Sequence, residues 1–437
     1  MLRSIGCRVE SGNLVKIPAR LVEQAIEWSP STIPVYNTRG ELQMTLEQGS
    51  VYFGAGGASP FMTESDGSQT AMTSKECAEQ AVVADALENI DFFMAMAHCG
   101  DFPVEVRDVF EILTVLSNTL KPIVITSNTQ KSLDVIVEMC SVLSGSKEDF
   151  LDKPYLLYYT EPVTPLQHTK HSLDKLLSAA DYGLPILNTP APMAGGTAPI
   201  TLSGTLISGF AELLSGMVLV QNYKRGTPMI FGGVFTTLDM RETTFTYGSP
   251  ELQLMNSAIA EMARFYKVPS FGTAGETDAH EIDAQAAFEC GQSILLNALS
   301  GSNLVHDVGW LSAAQATSNE LLVLCDEMIG YARRYIAGIN TNRIEQSVSE
   351  LAEVGPGGSF INRDMTFELF RKEVWYPTLM SRQSHKSWLA SDKKPLDERL
   401  KDEVDRILKD DCKPAIEEAR IQEMQKIADD YRSELGV

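Results

Sequence analysis

The stretch VPSFGTAGETDAHEIDAQAAFECG, from Val268 to Gly291, contains one complete change from strand to helix. VPSF is apolar and strand-like, and the glycines and small residues after it are typical of a turn. DAQAAFECG then has the alanine-rich composition of a helix. Polar side chains crowd this corner, which is therefore either a solvated loop or part of a site: Thr273, Glu276, Asp278, Asp283 and Gln285.

Seven further apolar or β-branched runs resemble VPSF. The eight runs begin at Val51, Ile90, Lys121, Pro154, Leu184, Pro228, Val268 and Asn303, at intervals of roughly 30 to 44 residues. Segments with helical periodicity lie between them, which is typical of a parallel sheet covered on its faces. A doubly wound open sheet is the alternative, but no GxGxxG follows an early strand and no GxxxxGK[ST] loop occurs. Since eight units close a barrel, we predict an α/β fold with a (β/α)8 TIM barrel over residues 51–362.

The segments on either side of the barrel have a different character. Residues 1–50 contain a short strand and a proline-started helix, and we predict an N-terminal elaboration whose first residues resemble the end of a helix that starts earlier. Residues 363–437 are rich in charge and predict a C-terminal helical extension packed on the barrel. One apolar stripe supports that packing: Leu396, Leu400, Val404, Ile407 and Leu408.

Composition excludes several functions. A formal net charge of −22 argues against binding to nucleic acid or to anionic membranes, because both need concentrated lysine and arginine. Seven scattered cysteines without a CxxC pair fit free thiols in a reducing compartment. We find no signal peptide and no apolar run of membrane-spanning length, so we expect a cytoplasmic protein.

Small or polar residues end almost every apolar run. In a barrel these positions converge on the carboxyl-terminal mouth, where active sites are built. Each loop alone needs turn residues, but eight such ends with two histidines and several carboxylates and amides favour a site. The residues are Gly54, Gly56, His98, Ser127, Asn128, Glu161, Asn188, Thr189, Gly232, Gly233, Thr273, Gly275, His306 and Asp307.

The histidines and cysteines leave more than one chemistry open. His98 and His306 end predicted strands and could join Asp307 or Glu161 as metal ligands, although no HExxH motif or cysteine ligand accompanies them. A nucleophilic pair of Cys99 and His98 is disfavoured, because neighbours in a strand point to opposite faces.

Aromatic side chains also lie on or beside the strand ends. Each is by default a core residue, but several around one mouth could hold a quaternary ammonium ion by cation–π contacts of about 0.5–2 kcal/mol each. They include Tyr52, Phe53, Tyr158, Tyr159, Phe231, Phe235, Phe271 and Trp310.

Several segments resemble the trimethylamine methyltransferase family, including its members that lack pyrrolysine. The matching segments include VYFGAGGASP, YTEPVTPLQH, NTPAPMAGGTAPITLSGTL, SGSNLVHDVGWL and EVWYPTLMSRQSHKSW, together with the stretch quoted first. They run through nearly the whole chain. The family's further amino-terminal helix has no match, and ordinary residues stand at the corner where founding members carry pyrrolysine: His280, Glu281 and Ile282.

The resemblance implies a barrel enzyme that moves a methyl group from a methylated amine to the Co(I) corrinoid of a separate protein. Pyrrolysine-free relatives imply a quaternary amine, glycine betaine first, with dimethylglycine as product. No cofactor is expected to bind tightly to this chain, no metal site is assigned, and a homo-oligomer is compatible with the family. A metal-assisted hydrolase or lyase, and a non-catalytic betaine-binding barrel, are the alternatives.

With this resemblance, residue roles can be assigned as expectations. His306 and Glu161 are the expected catalytic residues, and His306 is also the first candidate to bind a betaine carboxylate. Asp278, Asp283 and Gln285 are expected to organise the seventh corner from behind or to cap its helix. The expected substrate-binding residues are Tyr52, Phe53, His98, Tyr159, Phe235, Phe271, Thr273, Gly275 and Trp310.

Overall fold

A closed barrel of eight parallel strands forms the centre of the protein, as seen in a computed structural model that describes residues 1–57, 59–64, 67–96, 98–410 and 416–437. Each predicted run supplies one strand, so the predicted barrel is confirmed. In chain order the strands are Tyr52–Ala55, Phe92–Phe93, Ile123–Ile125, Leu156–Thr160, Ile186–Asn188, Met229–Gly232, Ser270–Thr273 and Leu304–Val308. The eighth strand pairs with both the seventh and the first, which closes the ring.

Helices cover the outside of the barrel and follow the strands. All but Arg107–Leu116 among the helices named below begin at a side-chain cap, such as Thr73 with Glu76 and Asp283 before Ala284, which satisfies free backbone N–H groups of the first turn. The main helices are Ser74–Ala86, Arg107–Leu116, Gln130–Ser144, Lys170–Tyr182, Leu202–Tyr223, Pro250–Tyr266, Ala284–Ser300 and Asn319–Ile336, with a short helix at Lys147–Asp152.

The amino-terminal residues close the bottom of the barrel. A two-stranded sheet, Arg8–Glu10 with Leu14–Lys16, and the helix Ala19–Trp28 precede a hairpin of Ile33–Tyr36 and Leu42–Leu46. Apolar side chains of this hairpin share one buried cluster with the barrel interior, so water is excluded from that end. Any cavity inside the barrel must therefore open at the carboxyl-terminal end.

Short strands in the loops shape the opposite end of the barrel. One small sheet follows the fifth and sixth barrel strands, and the other joins loops after the first and eighth. The strands are Met193–Ala194, Thr236–Asp239 and Thr244–Phe245 in the first sheet, and Phe61–Thr63, Gln69–Ala71, Trp310–Leu311 and Ala316–Thr317 in the second.

The carboxyl-terminal segment leaves the barrel and then returns to it. The structure describes all residues of the helices Ile344–Val354, Asp364–Glu373 and His385–Ala390, and none of these residues is buried. Helices Leu396–Asp410 and Glu418–Leu435 pack against the barrel helices. The predicted apolar stripe lies at that contact, where Leu400, Val404 and Ile407 are buried. Cys412 lies outside the described residues.

One helix among the described residues, Leu202–Tyr223, is long and apolar enough by length and composition to cross a membrane. The expectation that the sequence contains no such run was wrong. Half of the apolar window is buried inside the protein, where the helix packs on Ala19–Trp28 and the sixth strand. A barrel helix that is covered on two sides has the same composition, so this feature is weak evidence for a membrane.

Candidate active site at the barrel mouth

A cavity of about 720 Å³ lies at the carboxyl-terminal end of the barrel. It is lined by aromatic, acidic and basic side chains from several strand ends and loops. The polar and aromatic lining residues are His98, Thr126, Tyr159, Thr160, Glu161, Thr169, His171, Ser172, Lys175, Phe245, Tyr247, His306, Asp307, Trp310 and Gln315. The predicted mouth therefore holds a cavity that carries both signs of charge.

His306 and Asp307, neighbours on the eighth strand, both line this cavity. The pairing register between the eighth and first strands shifts between Val305 and Val308, and Asp307 has a φ of 75°. Such a bulge turns two consecutive side chains to one side of a strand. Asp307 Oδ1 accepts a short hydrogen bond from His306 Nδ1, which fixes the orientation of a ring that is only 3% exposed.

Close packing holds the His306 ring in place. Its Nε2 lies 3.1 Å from the sulfur of Met94, and its ring stacks on Tyr159 with centroids 6.1 Å apart. A Cβ atom at Gly56 would come within 2.3 Å of His306 Nε2. The glycine at the end of the first strand is therefore required by a close approach to the imidazole.

Three aromatic rings lie at the cavity wall, and two of them, Tyr159 and Trp310, pack on the imidazole of His306. Tyr159, Tyr247 and Trp310 all line the cavity, and Tyr247 meets Trp310 edge-to-face at 5.5 Å. Trp310 Nε1 donates a 3.0 Å hydrogen bond to the carbonyl of Gly57, which fixes the indole. Aromatic faces carry negative potential, so this wall attracts a cation.

Asp278 positions Tyr247, which sequence reasoning did not identify. The two carboxylate oxygens of Asp278 accept hydrogen bonds of 2.8 and 2.9 Å from the backbone N–H groups of Tyr247 and Gly248. Glu289 in turn accepts a 2.9 Å bond from the backbone N–H of Asp278 and another from the Gln285 side chain. The polar corner quoted first thus supports the cavity wall from behind.

Asp283 caps the helix Ala284–Ser300. Its carboxylate accepts hydrogen bonds from the backbone N–H groups of Gln285 and Ala286, at 2.8 and 3.0 Å. The structure therefore places Asp283 as a helix cap, one of the two roles expected for it.

Glu161 and Lys175 place opposite charges on the fourth-strand side of the cavity. Glu161 Oε1 accepts a 2.6 Å hydrogen bond from the Tyr159 hydroxyl. The enclosing protein raises the pKa of the Glu161 carboxyl by desolvation, and the negative charge of Asp307 raises it further. Burial lowers the pKa of the Lys175 ammonium, while the nearby Glu161 carboxylate acts in the opposite direction.

Other expected site residues lie beneath or behind the cavity. Phe271 is buried below it and packs on both His306 and Tyr159. Thr273 accepts hydrogen bonds from Asn256, and the backbone N–H of Gly275 binds Ser293, so both face the helix shell. Because these residues are not among the cavity-lining side chains, their expected contact with substrate stays a prediction.

Three expected aromatic residues are also outside the cavity wall. The Tyr52 hydroxyl bonds to the backbone of Thr45 in the hairpin that closes the bottom. Phe53 and Phe235 are fully buried in the main hydrophobic core, where Phe235 packs against Phe210. Strand periodicity alone does not distinguish the two ends or the two faces of a barrel strand, which explains these positions.

Glu276 is a buried carboxyl group that is not part of the cavity lining. It is 1% exposed, and neither oxygen has a hydrogen-bond partner among the described residues. Desolvation raises its pKa well above the usual range, and the charge of Asp307 adds to the effect. Burial therefore disfavours the charged form of Glu276.

Metal ligation has little support in the described part of the chain. It contains no group of three or more histidine, cysteine, aspartate or glutamate side chains placed to hold a metal ion. The prediction that His98 ends the second strand was wrong: that strand ends at Phe93, and His98 lies in the loop that follows. There its Nδ1 faces Glu111 Oε2 at 3.5 Å.

Known proteins match this chain over nearly its full length. The family model described as trimethylamine methyltransferase matches residues 1–436. The glycine betaine methyltransferase of Desulfitobacterium hafniense is 30% identical over 419 residues, which cover 95% of this chain and 87% of that protein. The trimethylamine methyltransferase of Methanosarcina barkeri is 30% identical over 437 residues, with coverage of 97% and 87%.

A solved structure supports the same fold. The monomethylamine methyltransferase of Methanosarcina barkeri aligns with 93% of this chain and 84% of its own, with a TM-score of 0.52 and 12% identity. At that identity the likeness concerns the fold alone. Together with the family model and the sequence relatives, the barrel and its mouth show that this chain belongs to the trimethylamine methyltransferase family.

Proposed function

We propose that this protein is a cytoplasmic, corrinoid-dependent methyltransferase. Its substrate would be a quaternary amine, with glycine betaine as the first candidate and dimethylglycine as the product. The methyl group would pass to the Co(I) corrinoid of a partner protein. Family membership supports the reaction class, and the glycine betaine methyltransferase among the relatives supports the choice of substrate.

The observation that carries this proposal is the aromatic and acidic wall of the cavity. Tyr159, Tyr247 and Trp310 offer ring faces, while Glu161 and Asp307 supply negative charge in the same space. Cation–π contacts need no proton on the cation, so such a wall suits a permanently charged trimethylammonium group.

The chemistry of a quaternary amine fits the side chains that are present. When the methyl–nitrogen bond breaks, its electron pair stays on nitrogen and a neutral tertiary amine leaves. No side chain has to protonate the leaving group. The corrinoid supplies the nucleophile for the methyl group. The side chains of this chain therefore have to bind the cation, orient one methyl group and exclude water.

His306 and Glu161 are the residues that we place closest to this chemistry. His306 is fixed at the cavity wall by Asp307 and the stacked Tyr159, so it offers a rigid surface to a bound methyl group. Glu161 is exposed to the cavity and held by the Tyr159 hydroxyl. Because these side chains are already held in position, they need to move little when the substrate binds.

The mouth also has an open side for a group carried by a partner protein. His98, Glu161 and Gln315 line the cavity and are exposed to solvent, whereas His306 and Asp307 are buried at its wall. A corrinoid presented from outside would meet the exposed residues first, so this arrangement fits a cofactor that is not held tightly by this chain.

Product analysis tests the proposal. Purified protein is incubated with glycine betaine, with and without a reduced corrinoid protein, and dimethylglycine is measured by mass spectrometry. We expect dimethylglycine only in the complete mixture. Tight betaine binding without product in any mixture would instead indicate a binding protein, and stoichiometric zinc or iron by elemental analysis would favour a metal-assisted hydrolase or lyase.

A further inference from the structure

We infer that Lys175 binds the carboxylate of the substrate and thereby selects zwitterionic betaines over quaternary amines that lack an acid group. This inference rests on the proposed function and adds a specificity-determining residue to it. Lys175 lies in the middle of the helix Lys170–Tyr182, which follows the fourth barrel strand. Its side chain nevertheless reaches the cavity.

The surroundings of Lys175 leave part of its hydrogen-bonding capacity unused. Among the described residues, its ammonium group makes one hydrogen bond, a 3.0 Å contact to Thr126 Oγ1. In the described part of the chain, no carboxylate oxygen lies within 4.0 Å of the Lys175 ammonium nitrogen, so Lys175 forms no ion pair there. A lysine ammonium has three donors, so two remain for a ligand.

The charges across the cavity match a zwitterion. The eighth strand, which carries His306 and Asp307, lies four strands away from the fourth in the closed ring and thus on the opposite side of the barrel. Tyr247 packs on Trp310 on the side of Asp307, while Lys175 lies with Glu161 on the other side, beside Thr126. A betaine that places its nitrogen against the rings would direct its carboxylate away from Asp307 and towards Lys175.

Glu161 helps to keep Lys175 charged, because its negative charge opposes the lowering of the Lys175 pKa by burial. Its charge lies near Lys175, and its Oε1 is occupied by the Tyr159 hydroxyl. In the absence of substrate, Glu161 and Lys175 balance each other's charge. A zwitterion adds one charge of each sign to this pair, so the cavity keeps its net charge when a betaine binds, but not when a simple cation binds.

A substitution at Lys175 tests the inference. Binding of glycine betaine and of choline, which carries a hydroxyl group in place of the carboxylate, is measured calorimetrically without corrinoid. We expect Lys175→Met to weaken glycine betaine about 10- to 100-fold, as for the loss of a charge-assisted hydrogen bond, without weakening choline. Unchanged choline binding also shows that the variant is folded.

Two further variants serve as controls. Lys170→Met removes a lysine from the same helix, but at an exposed position paired with Asp174, and should leave both affinities unchanged. Lys175→Arg keeps the charge and should retain part of the betaine affinity. If Lys175→Met weakens the binding of both ligands equally, or binds glycine betaine as tightly as the wild type, the inference is wrong but the proposed function stands. A wild-type protein that binds neither ligand overturns the proposed function, and the inference falls with it.

Discussion

Replacing Tyr247 by leucine removes one aromatic face from the cavity wall while keeping an apolar side chain. The Tyr247 side chain is 9% exposed and packs against Trp310, so it faces a largely desolvated part of the cavity. Burial raises the pKa of the Tyr247 hydroxyl well above the usual range, and the charges of four carboxyl groups raise it further. These groups belong to Asp307, Glu276, Glu161 and Asp278. Tyr247 is therefore a neutral phenol, and its contribution to binding comes from the ring.

The size of the effect follows from this burial. A cation–π contact contributes about 0.5–2 kcal/mol, and a desolvated ring belongs to the upper part of that range. At 1.36 kcal/mol for each factor of ten, a contact of about 1–2 kcal/mol corresponds to about 5- to 30-fold in affinity. We expect Tyr247→Leu to weaken glycine betaine by that factor.

The assay must separate charge from packing. Dissociation constants are measured for glycine betaine and for 3,3-dimethylbutanoate, in which a neutral carbon replaces the charged nitrogen. A packing defect weakens both ligands equally, whereas loss of a cation–π contact weakens only the betaine. Tyr247→Phe is the matched control, because within the described part of the chain the hydroxyl makes no hydrogen bond. Equal losses for the two ligands in Tyr247→Leu would refute the reasoning.

Three further predictions concern charge and assembly. The ionised Glu161 attracts the cation, and desolvation by the surrounding protein raises its pKa. Affinity for tetramethylammonium should therefore begin to fall at a higher pH than the ordinary glutamate pKa of about 4.3 would produce, and Glu161→Gln should abolish this dependence; a flat wild-type profile would contradict it. Glu276 has a raised pKa in the folded state. Between its unfolded and folded pKa values, the unfolded chain therefore holds fewer protons than the folded chain, and the free energy of unfolding falls by up to about 1.4 kcal/mol for each unit by which the pH rises. The Tm of Glu276→Gln should therefore exceed that of the wild type by an amount that grows with pH. A Tm difference that does not change with pH would show that the folded-state pKa of Glu276 is not raised. Ile344, Val348 and Leu351 form an exposed apolar face on one helix, so we predict self-association that Val348→Glu weakens, as measured by light scattering; a monomeric wild type would exclude it.

The barrel could be predicted because each strand is buried on both faces and reads as a continuous apolar run. The strand ends then identified His306, Glu161 and Tyr159 as cavity residues, together with Trp310 shortly beyond the eighth strand. A barrel collects its strand ends at one mouth whatever the loops do, so this part of the site follows from topology.

Other site residues could not be predicted from strand ends. Tyr247 lies beyond a small hairpin after the sixth strand and is placed by Asp278, a contact between distant parts of the chain. Lys175 lies within a helix, where a lysine is usually a solvated surface residue. Asp307 is among the predicted strand-end residues, but its position at the cavity wall directly beside His306 depends on the bulge in the eighth strand, which no periodicity reveals.

The aromatic predictions at the other strands show the opposite difficulty. Tyr52 begins its strand rather than ending it, so it meets the hairpin at the bottom of the barrel. Phe53, the next residue, points out of the barrel into the helix shell. Alternation along a strand predicts two faces, but the direction of each face depends on the register of the closed ring.

The most direct measurement is the fate of a labelled methyl group. Glycine betaine with deuterated N-methyl groups is incubated with the protein and Co(I) cobalamin, and methylcobalamin and dimethylglycine are quantified together. We predict one deuterated methyl group on cobalt for each dimethylglycine formed. If cobalt remains unmethylated with glycine betaine and with every other quaternary amine tested, this protein does not perform the proposed reaction.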